Sequence, residues 1–398
     1  MIRFFKTSEW KILWPFYVST LVMATFIFFG PYWIIYFKEI GFSFKQISIL
    51  VAIFGFVPLI FEIPTGAIAD IYGRKISVIL SYILVSLMVL IVPFTKNFYA
   101  LIIIFTLWAI FGTLSSGADD AWVVDLLKHK GKEDLIQNYF IKMPSIGSLG
   151  VILMGVLSAA AVGYFGLKSI WIITGLGAIA STLILLFAKE HFIRRSITLR
   201  KAFSKTMQNS KQGLNYTRKH SSLLFLILAV SFIWLSMGVG NLSWQPFLQN
   251  LGLEISKLGY VYSLISAVVM GVPFLSKPLL KKIGKEKYYL SIIISCVVFL
   301  LLMVYFIGSI VIGVLIMVLL NVLFELHGPV SVPFFQKLIP SRIRATMGSI
   351  KAVIVGITGA VGVLIAGILA DTIGPQMALF YSAFFMIPAI FFYLKIRN

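Results

Sequence analysis

The chain has 398 residues, 60% hydrophobic and 12% charged, with a mean hydropathy of +0.99 and a formal net charge of +20 at pH 7. This balance excludes a soluble globular domain and points to a polytopic membrane protein. The positive charge does not mark a nucleic-acid binder, because its placement along the chain follows membrane topology.

A spanning helix needs about 20 apolar residues. Twelve such segments run at about 14–36, 47–69, 76–95, 98–127, 138–163, 168–188, 221–248, 257–279, 288–307, 309–336, 346–370 and 376–394. The runs are too long, and alternate too little, for the strands of a membrane barrel. The opening Met1-Ile2-Arg3-Phe4-Phe5-Lys6 leads into a segment too long for a cleaved signal, so the first segment is expected to stay as a membrane helix. The only cysteine, Cys296, lies in the ninth segment, which leaves no disulfide within the chain and no cysteine-based metal site. Of the 34 Lys and Arg, only Lys38, Lys45, Lys96, Lys168 and Lys257 fall on the far side when the N-terminus is cytoplasmic. That bias places both termini in the cytoplasm and the chain in the cytoplasmic (inner) cell membrane.

The longest polar stretch, Lys189 to His220, divides the segments six and six. Residues 1–188 and 221–398 are therefore expected to form two six-helix bundles joined by a basic cytoplasmic linker, 189–220. The linker reads either as a solvated basic connection or as a surface helix on anionic headgroups through Ile193, Ile197, Leu199 and Phe203. An offset of 211 brings the halves into register without a gap: Trp33 with Trp244, Gly41 with Gly252, Gly73 with Gly284, Arg74 with Lys285, Gly117 with Gly328. This is an internal duplication about an axis along the membrane normal. It fails where Asp70 meets Lys281 and Gly66 meets Lys277.

The second segment ends in Gly66-Ala67-Ile68-Ala69-Asp70-Ile71-Tyr72-Gly73-Arg74-Lys75. This G-x-x-x-D-x-x-G-R-K turn resembles the signature between the second and third helices of the major facilitator superfamily, and Pro340-Ser341-Arg342-Ile343-Arg344-Ala345-Thr346 resembles a turn of its bacterial members. The resemblance covers nearly the whole chain. It implies an all-α membrane protein of twelve transmembrane helices in two pseudo-symmetric six-helix bundles, with a substrate path between the halves. Gly66 is expected where the second helix closely approaches another, and Gly73 where the chain reverses. In the family the acid faces the N-terminal end of the eleventh helix, here beginning near Met347 and rich in Gly356, Gly359 and Gly362. Arg74 needs an anion at the cytoplasmic edge, and Asp125 is the best placed. Asp70, Arg74, Lys75 and Asp125 would form the charge network of a gate; the alternative is a set of solvated helix-end charges.

Carboxylates within the segments are costly, at least about 2.5–3.5 kcal/mol near the bilayer centre, so they normally face a cavity or a partner. Glu62, Asp119, Asp120 and Glu325 qualify. Glu325 reads as a proton or substrate site or as a structural acid between helices, and Glu62 as a proton site or an inward extension of the charged turn. One of Asp119 and Asp120 reads as lining the path while the other joins the cytoplasmic network with Asp125. Glu325 is the preferred coupling residue, with Asn321 one turn away to orient it and Gly328, Pro329 and Pro333 weakening the helix beside it. Asp119 and Asp120 diverge by about 100°, so they cannot share a cavity; Asp120 is taken for the path. His327 points away from Glu325 and reads either as a cross-helix hydrogen-bonding residue or as a group that titrates in its own right. Tyr32, Trp33 and Tyr36, with Trp244, Asn241 and Gln245, offer the rings and amides that line sites for amphipathic solutes; the two tryptophans equally suit interfacial anchoring.

Two departures from drug antiporters of the family are visible. Val151 stands where proline would follow Gly150 in the Gly147, Gly150, Gly155 segment, and the fourth segment offers acids in place of an arginine. The expectation is a secondary active transporter, not an enzyme, exporting amphipathic drugs or metabolites in exchange for protons. The alternative is a proton-coupled importer or facilitator of a small solute; a transporter-like sensor is the third reading. The proton gradient, not a cofactor or metal, would supply the driving force. The expected partners are a small-molecule substrate and the lipid bilayer, with the protein acting as a monomer.

Overall fold

The computed structural model describes Phe5 and residues 7–191 and 216–397, and among these all regular structure is helical. The linker positions Ile193, Ile197, Leu199 and Phe203 lie outside the described residues. In chain order the helices are α1 (Thr7–Phe26), α2 (Trp33–Glu39), α3 (Phe44–Tyr72), α4 (Arg74–Ile91), α5 (Phe98–Thr113), α6 (Ala118–His129), α7 (Asp134–Phe165) and α8 (Ser169–Leu185). After the linker come α9 (Ser221–Asn250), α10 (Leu258–Val269), α11 (Pro273–Ile283), α12 (Glu286–Met303), α13 (Ile310–Lys337), α14 (Arg344–Ile373) and α15 (Pro375–Lys395).

Among the described residues, nine spans are long and apolar enough to cross a membrane, counting α5 with α6 as one. The pair α10 and α11, bent by 50° ahead of Pro273, makes a tenth. The first and sixth apolar segments coincide with α1–α2 and with α8, so the helices are consistent with twelve spans. Pro273 has no amide to donate, which accounts for the break before it.

Two compact units make up the protein. The first draws on Met1–Trp33, Val57–Ala202 and Ser256–Ser266; the second on Ile34–Phe56, Phe203–Ile255 and Ala267–Asn398. The division therefore differs from a single cut in the linker. The first half of α3 packs within the second unit, and α10 as far as Ser266 within the first. The first unit has a buried core of Leu13, Phe16, Tyr17, Trp122, Val123, Leu126, Leu127 and Tyr139.

The duplication is visible in backbone detail. After α2, Phe42 N bonds to Phe37 O at 3.0 Å around Gly41 (φ +98°); after α9, Leu253 N bonds to Leu248 O at 3.1 Å around Gly252 (φ +93°). These are the same glycine-closed helix ends, displaced by the offset. Gly73 and Gly284 likewise both have positive φ. Close approaches repeat too: a Cβ on Gly155 would collide with Gly259 and Ser263, and one on Gly367 with Phe44 and Ser48. The halves part at Gly117, which is left-handed (φ +71°) at a break between α5 and α6, while Gly328 lies inside unbroken α13.

Candidate functional site

The break between α5 and α6 organises the polar interior of the first unit. An interrupted helix inside a membrane strands carbonyl groups that hydrocarbon cannot satisfy. Here hydroxyls supply donors: Ser77 Oγ to Leu114 O at 2.6 Å, and Ser81 Oγ to Phe111 O at 2.7 Å beside the amide of Leu114, while Thr65 Oγ1, bonded to Phe61 O at 2.7 Å, lies 3.2 Å from Thr113 O. The fourth apolar segment is thus not the continuous helix its hydropathy predicts. Its acids sit in the first turn of α6, where the positive end of the helix favours negative charge.

Asp119 and Asp120 diverge as consecutive helical residues must. Asp119 turns into the bundle: Tyr82 OH donates to its Oδ2 at 3.1 Å, and its Oδ1 is buried with no hydrogen-bond partner among the described residues. Asp120 is exposed. Glu62 on α3 is exposed and accepts a bond from Ser116 Oγ at 3.2 Å, in the broken segment itself.

At the turn after α3, Gly73 (φ 106°, ψ 147°) starts α4. Arg74 Nη1 lies 2.5 Å from Asp125 Oδ2 and also donates to Ala121 O, so one guanidinium grips α6 twice. Lys75 Nζ donates to Leu186 O (2.8 Å) and Ala188 O (2.7 Å), the unpaired carbonyls after α8. Its backbone amide donates to Glu190 Oε1 at 2.9 Å, and the Glu190 carboxylate covers Gly73. Sequence reading missed Glu190, placing it in the linker; the sole signal was an acid amid a basic stretch. Asp70 is half-buried, with no side-chain hydrogen bond among the described residues.

Gly66 corrects an expectation. It is exposed, and a Cβ there would meet no atom within 4 Å. The close approach along α3 is made instead by Gly55, where a Cβ would strike Gly356 O and Ala360 of α14. A glycine in a signature does not say which stretch of the helix is crossed.

A buried ion pair also escaped the sequence reading. Glu9, fully buried in the first turns of α1, receives Lys142 Nζ from α7 at 2.6 Å and Tyr17 OH at 2.7 Å. Lys142 also lies 5.0 Å from the Phe5 ring centre. Glu9 precedes the first apolar segment, so hydropathy gave no reason to look there.

In the second unit, Glu325 is exposed on α13 with no hydrogen bond among the described residues. Asn321 does not orient it; its Nδ2 donates to Met317 O of its own helix at 2.8 Å, the nearest acceptor one turn back. His327 Nε2 lies 2.7 Å from Tyr393 OH of α15. Pro329 and Pro333 leave α13 unbroken, and Leu326 O accepts from Tyr289 OH (3.0 Å) and Ser276 Oγ (3.2 Å). On α9, Asn241 is exposed, Trp244 half-buried and Gln245 fully buried, so the two amides do not share one environment. Trp33 is half-buried. Tyr32 is no cavity residue: it is fully buried in the first unit, its hydroxyl accepting from Gly259 N (2.9 Å) and donating to Ser256 O (3.0 Å). Tyr36 is also buried. Lys351 of α14, which sequence reading passed over, rests its ammonium 4.8 Å from the Phe335 ring centre.

Among the described residues no group of His, Cys, Asp and Glu could hold a metal ion. What the geometry offers is a set of membrane-embedded carboxylates and a braced charged turn.

Comparison with known proteins agrees with that geometry. The profile of the Major Facilitator Superfamily matches residues 16–357. An uncharacterized MFS-type transporter, YxaM of Bacillus subtilis (strain 168), is 23% identical over 372 residues, covering 92% of this chain and 90% of that protein. Among solved structures, a bacterial homolog to the human lysosomal transporter Spinster, in an inward-facing and unoccupied conformation, superposes with a TM-score of 0.76 at 16% identity, covering 99% of both chains. The nucleoside transporter NupG gives 0.73 at 15% identity, covering 96% of this chain and 98% of that one. The chain belongs to the major facilitator superfamily and is a multi-pass membrane transporter, not an enzyme.

Proposed function

We propose that this transporter exports an amphipathic small solute across the cell membrane in exchange for protons, as a monomer working by alternating access with both termini in the cytoplasm. The observation that carries the reading is Asp119. One carboxylate oxygen is held by Tyr82 and the other is buried with no partner among the described residues. A charge so placed is expensive, and a proton on the open oxygen removes it. Exposed Asp120 and Glu325 supply carboxylates that exchange with the solute. Asp70, Arg74 and Asp125 serve as the cytoplasmic gate, supported by the double grip of Arg74 on α6.

The test uses inverted membrane vesicles with an acidic interior, a pH dye and a panel of lipophilic cations. The gradient should collapse on adding a transported cation, and Glu325→Gln and Asp119→Asn should each abolish that response while leaving folded protein in the membrane. Wild-type coupling in both variants would refute the assignment. No response from wild type would favour the second reading, a proton-coupled importer of a small solute. Val151 in place of the drug-antiporter proline and the likeness to a nucleoside transporter support that alternative.

A further inference from the structure

The pattern G-x-x-x-D-x-x-G occurs twice in this chain. One copy, Gly66 to Gly73, ends α3; the other, Gly367-Ile368-Leu369-Ala370-Asp371-Thr372-Ile373-Gly374, ends α14. The second is not the duplication partner of the first, which falls at Lys277 to Gly284 and has lost its acid. Backbone conformation matches across the two copies. Gly73 has φ 106° and ψ 147°, Gly374 has φ 83° and ψ 161°, and each starts the following helix.

In this structure the α14 copy is engaged. Asp371 Oδ1 accepts from Phe44 N at 2.8 Å and Oδ2 from Lys45 N at 2.9 Å. The carboxylate thus takes two of the amides that α3 leaves unpaired in its first turn, at the positive end of the helix. One turn before Asp371, Gly367 lets α14 lie directly against Phe44 and Ser48; further along, Gly55 of α3 lies against Gly356 and Ala360. The cap and the two glycine contacts together run down the first half of α3, all within the second unit.

We propose that Gly367–Gly374 is a second gate latch, at the membrane face opposite the Gly66–Gly73 turn, and that Asp371 is its positioning residue. Its carboxylate holds the first half of α3 against α14, and that end of α3 leaves when the path opens to the outer face. Gly367 supplies the close approach, Gly374 the reversal, and Asp371 the releasable bond. A carboxylate suits this role because each oxygen serves one amide and its charge complements the helix end. An asparagine offers a single acceptor and no charge. The inference rests on the alternating-access reading and on the cytoplasmic termini, which make this face extracytoplasmic.

The test needs no known substrate, so its failure is distinct from failure of the proposed exchange. In a Cys296→Ser background, Ala52→Cys places a reporter on a buried position of the latched half of α3. The full-length protein is reconstituted in liposomes and labelled with a membrane-impermeant maleimide from either side. Asp371→Ala should raise the labelling rate from the outer face about tenfold, the effect of losing one helix cap. Thr372→Ala, whose hydroxyl bonds only within its own helix, should leave it unchanged. If the alanine variant does not fold, Asp371→Asn, nearly the same in shape, should give about threefold. A rate within a factor of two of the parent in the folded Asp371 variants overturns the latch. An increase confined to reagent on the other side would overturn the orientation but leave the release of α3 standing.

Discussion

Glu9 and Lys142 allow a quantitative test of how the first unit is held together. Glu9 is completely buried and Lys142 is 16% exposed, with both carboxylate oxygens within 2.7 Å of the ammonium. Removing one member of a buried pair costs about 3–5 kcal/mol, because the other stays behind without its counter-charge. The slight exposure of Lys142 and the Tyr17 hydroxyl on Glu9 place Lys142→Met at the lower end, about 3 kcal/mol. Glu9→Gln keeps an acceptor for Tyr17, and the double variant Glu9→Gln/Lys142→Met removes both charges of this pair together. The double variant should therefore lie within about 1 kcal/mol of wild type, since replacing a whole buried pair is often neutral. Equilibrium unfolding in mixed micelles, followed by tryptophan fluorescence, measures all four corners of the cycle. Costs for the two single changes that add to within about 0.5 kcal/mol in the double variant would refute the reasoning.

Three further variants have expected outcomes. Arg74→Ala should lower stability by only about 1 kcal/mol, because Asp125 is 42% exposed, yet cysteines placed around the Gly66–Gly73 turn should become more accessible to maleimides; unchanged accessibility would remove Arg74 from the proposed gate. Gly155→Val should be destabilising by about 1–3 kcal/mol, since its Cβ would meet the backbone of Gly259 and Ser263. Gly66→Ala, with open space around it, should leave unfolding unchanged or stabilise slightly. Equal costs at the two glycines would show that the contact at Gly155 is not the constraint.

What the sequence determined by itself is whatever depends on short stretches of chain in a known solvent. Apolar runs of spanning length become helices because lipid leaves backbone groups no other partner. Gly73 could be placed at a reversal because glycine adopts positive φ without steric cost, and the offset that pairs Gly41 with Gly252 and Gly73 with Gly284 is matched by their helix ends bond for bond. The pairing of Arg74 with Asp125 was legible because a charge at the membrane edge has few candidate anions in reach. Tertiary structure decided the rest, since it turns on which helix faces bury together. It chose Asp119 over Asp120 to face Tyr82, broke the fourth segment where Ser77 and Ser81 donate to its carbonyls, and brought Glu9 to Lys142 across 133 positions of chain. It also moved the close approach on α3 from Gly66 to Gly55 and gave Asp371 the amides of a helix 326 residues away. Hydropathy and spacing are properties of one helix at a time, whereas a buried charge is stable or costly according to the helix packed against it.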